Sequence, residues 1–172
     1  MDFMEDSVAR GRKIRTLNVL DEYSRECLAI EVDTALSGAR VCRVLDRLVA
    51  ERGAPQAISV DNGPEYTSVA LGEWAANHGV ELHFNRPGKP TDNPFIESFN
   101  GKFRDECLNE NWFLGIEDAR RIIAAWRREY NEERPHMSLG MRPPAEFVAL
   151  WSPPAPAAPQ TPRETINPPG LS

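Results

Sequence analysis

The chain has 172 residues, 41% hydrophobic and 27% charged, with a net charge of −6 at pH 7. That is the size and balance of one globular domain able to bury its own core. No apolar run is long enough to span a bilayer and no basic segment followed by an apolar stretch opens the chain, which argues against a membrane protein or a secretory leader. Cys27, Cys42 and Cys107 are odd in number and widely spaced, so they read as reduced cysteines of a cytoplasmic protein, without a zinc or disulfide framework.

Residues 2–6, 13–21 and 25–32 read as three strands joined by hairpin turns at Gly11-Arg12 and Asp21-Glu22-Tyr23-Ser24. Val41, Val44, Leu45, Leu48 and Val49 then recur with helical spacing, with Ser37 as N-cap and Gly53 as the stop. Ala57-Ile58-Ser59-Val60 is a short strand running into the turn Asp61-Asn62-Gly63-Pro64. A helix over 67–78 follows, burying Leu71, Trp74 and Ala75, and then a strand over 80–84. The stretch 85–91 is too rich in Pro and Gly for regular structure. Asn93 caps a helix with Pro94 at its first position and Ile96, Phe99 and Phe103 as its buried stripe. The last long helix covers 116–132 on Ala119, Ile122, Ile123, Trp126 and Tyr130, and a short helical turn is expected near Pro144–Trp151. Seven prolines in 152–172 mark a disordered tail, so the expected organisation is a core over 1–151 and a tail over 152–172. Three antiparallel strands followed by alternating helices and strands is a mixed α/β order, which alone does not select one architecture.

Three carboxylates carry the chemistry. Asp61 ends a short buried strand at a turn, the place where α/β sheets present functional groups; the bland reading is an Asp bonded to its own turn. Glu97 lies in the first turn of its helix, favoured there by the helix dipole alone. Arg104 follows seven residues later, so Glu97, Gly101 and Arg104 share a face distinct from the apolar stripe. Asp2 opens the first strand. Asp6, Asp21 and Glu65 are the fallback carboxylates and read as surface charges. Carboxylates converging from separate elements can hold hard divalent cations, and a pair of such ions activates a hydroxyl and stabilises a leaving oxygen at phosphorus.

The strings Asp61-Asn62-Gly63-Pro64-Glu65-Tyr66 and Asn93-Pro94-Phe95-Ile96-Glu97-Ser98-Phe99-Asn100, with 35 residues between Asp61 and Glu97, resemble the integrase-core (DDE) domain of bacterial insertion-sequence transposases, relatives of retroviral integrases. Met1-Asp2-Phe3, Tyr130-Asn131 and Arg134-Pro135-His136 fit the same pattern, and the resemblance covers roughly residues 1–151. It implies a ribonuclease H-like fold, a mixed sheet of about five strands, three antiparallel first, flanked by helices. It also implies that Asp2, Asp61 and Glu97 are catalytic and bind two Mg²⁺ or Mn²⁺ ions for DNA cleavage and strand transfer during DNA integration. Arg104, Lys102, Arg86, Lys89, Asn93, Asn100 and His136 are the expected DNA contacts. The partners would be element ends and target DNA, bound by a homo-oligomer in the bacterial cytoplasm. Such transposases carry further strand residues and DNA-binding helices upstream, so the chain is expected to begin inside the domain. A net charge of −6 runs against grip by phosphate neutralisation, and two alternatives stay open: an inactive remnant that only binds DNA or partner subunits, and a ribonuclease H-like nuclease.

Overall fold

The structure is a computed structural model that describes residues 1–86 and 93–151. Strands β1 (Asp2–Val8), β2 (Arg12–Leu20) and β3 (Cys27–Asp33) form an antiparallel sheet in that order. The first hairpin closes through a tight 3-10 turn at Ala9–Gly11, where Arg10 and Gly11 take positive φ, so Ser7 and Val8 pair with Lys13 and Arg12 and β1 runs two residues beyond the expected end, to Val8. In the second, the Asp21 carboxylate accepts from the backbone N–H groups of Tyr23 and Ser24 at 2.8 and 3.2 Å, and Asp21 N–H donates to the Glu26 carbonyl at 2.9 Å. These bonds hold residues 21–26 as a loop and delay β3 to Cys27, with a register shift at Val19/Leu20.

Helix α1 (Gly38–Arg52) starts where the Ser37 side chain accepts from Arg40 N–H and ends at Gly53. Helix α2 (Val69–His78) is capped in the same way by Ser68, two residues later than the apolar pattern suggested. A Cβ on Gly38 would lie 2.2 Å from the Ser68 hydroxyl oxygen. Only glycine lets the amino ends of α1 and α2 approach this closely. Strands β4 (Ala57–Val60) and β5 (Glu81–Phe84) pair in parallel, as a helical crossover requires. The five strands thus form a three-stranded sheet and a two-stranded pair, which meet where the Met1 nitrogen donates to the Ser59 carbonyl at 2.8 Å.

Helix α3 (Pro94–Phe103) runs into a π-helical turn at Arg104–Leu108, and α4 (Ile116–Glu132) and α5 (Pro144–Trp151) complete the described chain. The sheet separates two apolar clusters. Leu17, Val19 and Ala29 pack with α1, α2 and Val60 on one face; Ile14, Cys27 and Val32 pack with α3 and α4 on the other. The second cluster is aromatic. Phe99 meets Tyr130 edge-on at 5.0 Å and Trp126 at 5.7 Å, geometries favoured by the ring quadrupoles. Among the described residues no helix is long and apolar enough to cross a membrane.

Side chains of α4 satisfy the outer edge of β3. Asn131 accepts from Cys27 N–H at 2.9 Å and donates to Cys27 C=O at 3.0 Å, much as a neighbouring strand would. Arg127 reaches the Cys27 and Leu28 carbonyls at 2.8 and 2.7 Å, and Arg120 the Val32 carbonyl at 3.0 Å. These bonds occupy part of the edge that a further strand would otherwise pair with. Asn131→Ala strips the buried Cys27 N–H of its partner and leaves the Cys27 carbonyl to Arg127 alone, and urea denaturation should show a loss of about 2 kcal/mol with an unchanged slope.

His136 forms the corner after α4. Its backbone N–H donates to Arg142 C=O at 3.1 Å, and its ring stands edge-on to Tyr130 at 5.1 Å. Burial, then the charges of Lys102, Arg134 and Arg25, pull the imidazole pKa down from 6.5 to about 4. The unfolded chain therefore binds this proton and the folded chain does not, so the contribution is full above pH 6.5 and drains as pH falls toward 4. Chemical denaturation across that window should show a loss of up to about 3 kcal/mol from this group, absent in His136→Gln.

Candidate functional site: the carboxylate end of the sheet

Asp2 and Asn18 face each other across β1 and β2, so their side chains leave the sheet on the same side. Asn100 on α3 closes a triangle with them. Its Nδ2 donates to Asp2 Oδ2 at 2.7 Å, and its Oδ1 accepts from Asn18 Nδ2 at 2.8 Å. The other Asp2 oxygen accepts from Phe3 N–H at 2.7 Å. Helix α3 is thereby anchored to the first residue of β1. Burial and the nearby charge of Asp61 raise the Asp2 pKa above the usual carboxylate value, against the opposing bonds from Phe3 and Asn100.

Asp61 follows the last residue of β4. Its Oδ1 accepts from Gly63 N–H at 2.8 Å, while Asn62 donates to the Asn85 carbonyl at 2.6 Å and ties the turn to the end of β5. A Cβ on Gly63 would lie 3.0 Å from that Asp61 oxygen. Glycine therefore clears the space in which the carboxylate lies. One residue along β1 the chain faces the other way: the Phe3 ring stacks on Tyr66 at 4.9 Å, with the Arg15 guanidinium 4.5 Å above Phe3 and ion-paired to Glu65. The Tyr66 hydroxyl is buried without a hydrogen-bond partner, and burial followed by the charges of Asp2, Asp61 and Glu65 drives its pKa up. This aromatic stack is the floor beneath the two aspartates.

Glu97 is exposed, one turn before Asn100 and on the same flank of α3. Asp2 and Asp61 are within electrostatic reach of each other, but among the described residues no three carboxylate, His or Cys groups close into a metal-binding cluster. Arg104 is engaged with β1: it donates to Asp6 at 3.1 Å and to the Glu5 carbonyl at 2.7 Å. Its place on the Glu97 face makes it a clamp on the strand that begins with Asp2. Asn93 occupies the N-cap position of α3, but its side chain makes no capping bond; only its backbone carbonyl is used, by Glu97 N–H at 3.3 Å. Asn100 spends its amide on Asp2 and Asn18. Lys102 is half-buried, His136 is buried at its corner, and Arg86 is exposed after β5. Lys89 lies outside the described residues, as does the stretch 152–172.

Sequence reasoning missed Asn18, Arg15 and Tyr66. Asn18 is fully buried in mid-strand, and a polar residue at such a position signals a buried partner. That partner lies 82 residues away, so only the fold reveals it.

Two family models, each described as an integrase core domain, match residues 1–90 and 78–144. An uncharacterized protein of insertion element IS476 from Xanthomonas euvesicatoria is 53% identical over 151 residues, covering 88% of this chain and 44% of the relative, so the chain spans less than half of that protein. A cryo-EM structure of the simian T-cell lymphotropic virus intasome, with a regulatory subunit of PP2A, superposes with a TM-score of 0.74 at 18% identity over 97% of this chain and 58% of that one. The HTLV-2 integrase catalytic core domain in complex with magnesium gives 0.63 at 14% identity over 85% and 91%. At these identities the likeness shows the fold, which is ribonuclease H-like. The family models and the insertion-element relative carry the assignment: this chain belongs to the integrase core domain family of insertion sequences.

Proposed function

We propose that this chain is the catalytic core of a DNA transposase, cleaving phosphodiesters at element ends and joining them to target DNA. The observation that carries this reading is the pair of like-charged carboxylates at adjoining strand ends, Asp2 and Asp61, with Glu97 on the helix that holds Asp2 in place. A half-buried aspartate whose proton affinity is raised by burial and by a second carboxylate is a liability to a stable fold. A hard divalent cation turns that repulsion into attraction, and an all-oxygen donor set suits Mg²⁺ or Mn²⁺. Asp2 and Asp61 would hold the first ion and Glu97 would complete the set. Ions bound there supply Lewis-acid activation of an attacking hydroxyl and stabilise charge on the leaving oxygen.

The chain's own residues do the positioning. Asn100 fixes the Asp2 carboxylate, Gly63 N–H fixes that of Asp61, and Arg104 clamps β1 to α3, the helix that carries Glu97. In the proposed sequence, water attacks phosphorus at the element end and a 3′-oxygen leaves. That 3′-hydroxyl then attacks phosphorus of a target phosphodiester, forming the new P–O bond as the P–O bond to the target strand's own 3′-oxygen breaks and that oxygen takes up the proton. Joining two element ends in one event calls for more than one copy of the core, so the working form is proposed to be a homo-oligomer on DNA.

The open geometry of Glu97 favours a second reading, a core that binds DNA without cutting it. A metal-dependent nicking and strand-transfer assay on a labelled duplex decides between them. Activity with Mg²⁺ or Mn²⁺ that falls by a factor of ~10² or more in Asp61→Asn and in Glu97→Gln supports catalysis. A folded protein that stays silent with both ions, also when joined to upstream transposase sequence, overturns it. Cutting of RNA in hybrids without DNA joining would instead mark a ribonuclease. Independently of turnover, Mg²⁺ should raise the melting temperature of the native chain and leave that of Asp61→Asn unchanged.

Gly63→Ala brings a methyl group against the Asp61 carboxylate. Metal-induced stabilisation should weaken at least several-fold in apparent affinity while urea stability changes by less than about 1 kcal/mol, because the turn lies at the surface.

A further inference from the structure

On the flank of α3 away from Glu97, three parts of the chain bring basic groups together. Arg25, in the loop before β3, lies with its guanidinium 3.5 Å from the Phe95 ring in the first turn of α3. Lys102 is seven residues after Phe95, two turns on along the same flank. Arg134, just past α4, stands 6.0 Å from the Tyr130 ring, and His136 packs edge-on against the same ring. The charges of Lys102, Arg134 and Arg25 all bear on the His136 imidazole.

This cluster is short of anions. Among the described residues neither Arg25 nor Lys102 has a carboxylate partner, and Arg134 gives one nitrogen to Glu106. Three buried nitrogens have no hydrogen-bond partner: Arg25 Nη1, Arg134 Nη1 and His136 Nε2. His136 is only 8% exposed. Elsewhere several arginines are neutralised, as with Arg52 on Glu26 and with Arg40 and Arg47 on Glu31. Buried donors left open beside uncompensated cations are expensive unless an anion completes them. A tetrahedral oxyanion can accept from several such donors at once, and arginine forks match it.

We propose that Arg25, Lys102, Arg134 and His136 form a phosphate subsite that takes one phosphodiester of the DNA backbone. Lys102 comes five residues after Glu97, about 140° round the helix, so α3 separates this subsite from the carboxylates. The helix then presents an acidic flank to the reacting phosphate and a basic flank to another phosphate of bound DNA. This inference rests on the proposed role in DNA cleavage and joining, and it names a contact that the carboxylates do not need for their own chemistry.

The test is binding without catalysis. A dye-labelled duplex is titrated with the native chain in EDTA, followed by fluorescence anisotropy over a range of salt concentrations. Lys102→Gln and Arg25→Gln should each weaken binding roughly 3–10-fold and lower the salt slope by about one, while Arg12→Gln, at the distant β1–β2 hairpin, should do neither. The His136 ring resonances should shift on adding the duplex and respond only to far higher concentrations of inorganic phosphate, which separates a backbone diester from a free phosphate. Should Arg25→Gln fail to fold, Lys102→Gln decides alone, because Lys102 makes no hydrogen bond or ion pair among the described residues. Unchanged affinity and slope in folded Lys102→Gln, or His136 signals indifferent to the duplex, overturn the subsite even if the native chain cuts DNA. Loss of binding in Lys102→Gln from a chain that never cuts overturns only the catalytic reading.

Discussion

The Asp2–Asn18–Asn100 triangle is the constraint on which the rest of the carboxylate end depends. Two of its members are cross-strand neighbours fixed by the β1–β2 register; the third comes from a helix 98 residues from Asp2. One asparagine side chain thus sets the position of α3 on the sheet. Because donor and acceptor of the same amide are both used, the helix cannot slide along its axis without breaking two half-buried bonds. Glu97, one turn away, inherits its place from that lock. Arg104 adds a second tie to β1 two turns further on.

Around that lock the chain distributes charge unevenly. With a net charge of −6, it pairs most of its arginines with glutamates and aspartates or spends them on carbonyls at the edge of β3. Among the departures from this economy, two matter for the carboxylate end. Among the described residues, Asp2 and Asp61 at the strand ends lie within electrostatic reach of each other with no Lys or Arg ion-paired to either, and on the far flank of α3 Arg25 and Lys102 stand without a carboxylate partner. Both departures flank one helix. A domain that bent its local electrostatics this way for stability alone would gain nothing, since each arrangement destabilises the isolated fold. Stability given up at a site is the usual mark of function, and the opposite signs match a polyanion carrying metal ions.

The apolar periodicity that places α1, α2 and α4 survives in the structure because each helix packs a single stripe. The observed bounds of α4, Ile116–Glu132, are those of its pattern. Departures come where polar side chains compete with the pattern. Asp21 folds the second hairpin into a loop, and Ser68, by capping Leu71, moves the start of α2. Arg104 offers a different lesson. Helical spacing put it on the Glu97 face, and it is on that face, but its guanidinium turns to Asp6 and the β1 backbone. Spacing fixes direction from the axis, and only the neighbour decides what the side chain meets.

By itself the sequence determined the elements, the family through its two acidic strings, and the candidate carboxylates. These are local properties: periodicity, caps, turns, and residues adjacent in the chain. Tertiary structure alone decided which distant polar groups meet. Asn18 finds Asn100 across 82 residues, Asn131 finds Cys27 across 104, and Arg25 comes to rest on Phe95. No local signal encodes such pairs, because the partner of a buried polar group is set by how sheet and helices pack. That packing also decided that Asp2 and Asp61 interact while Glu97 stands open to solvent.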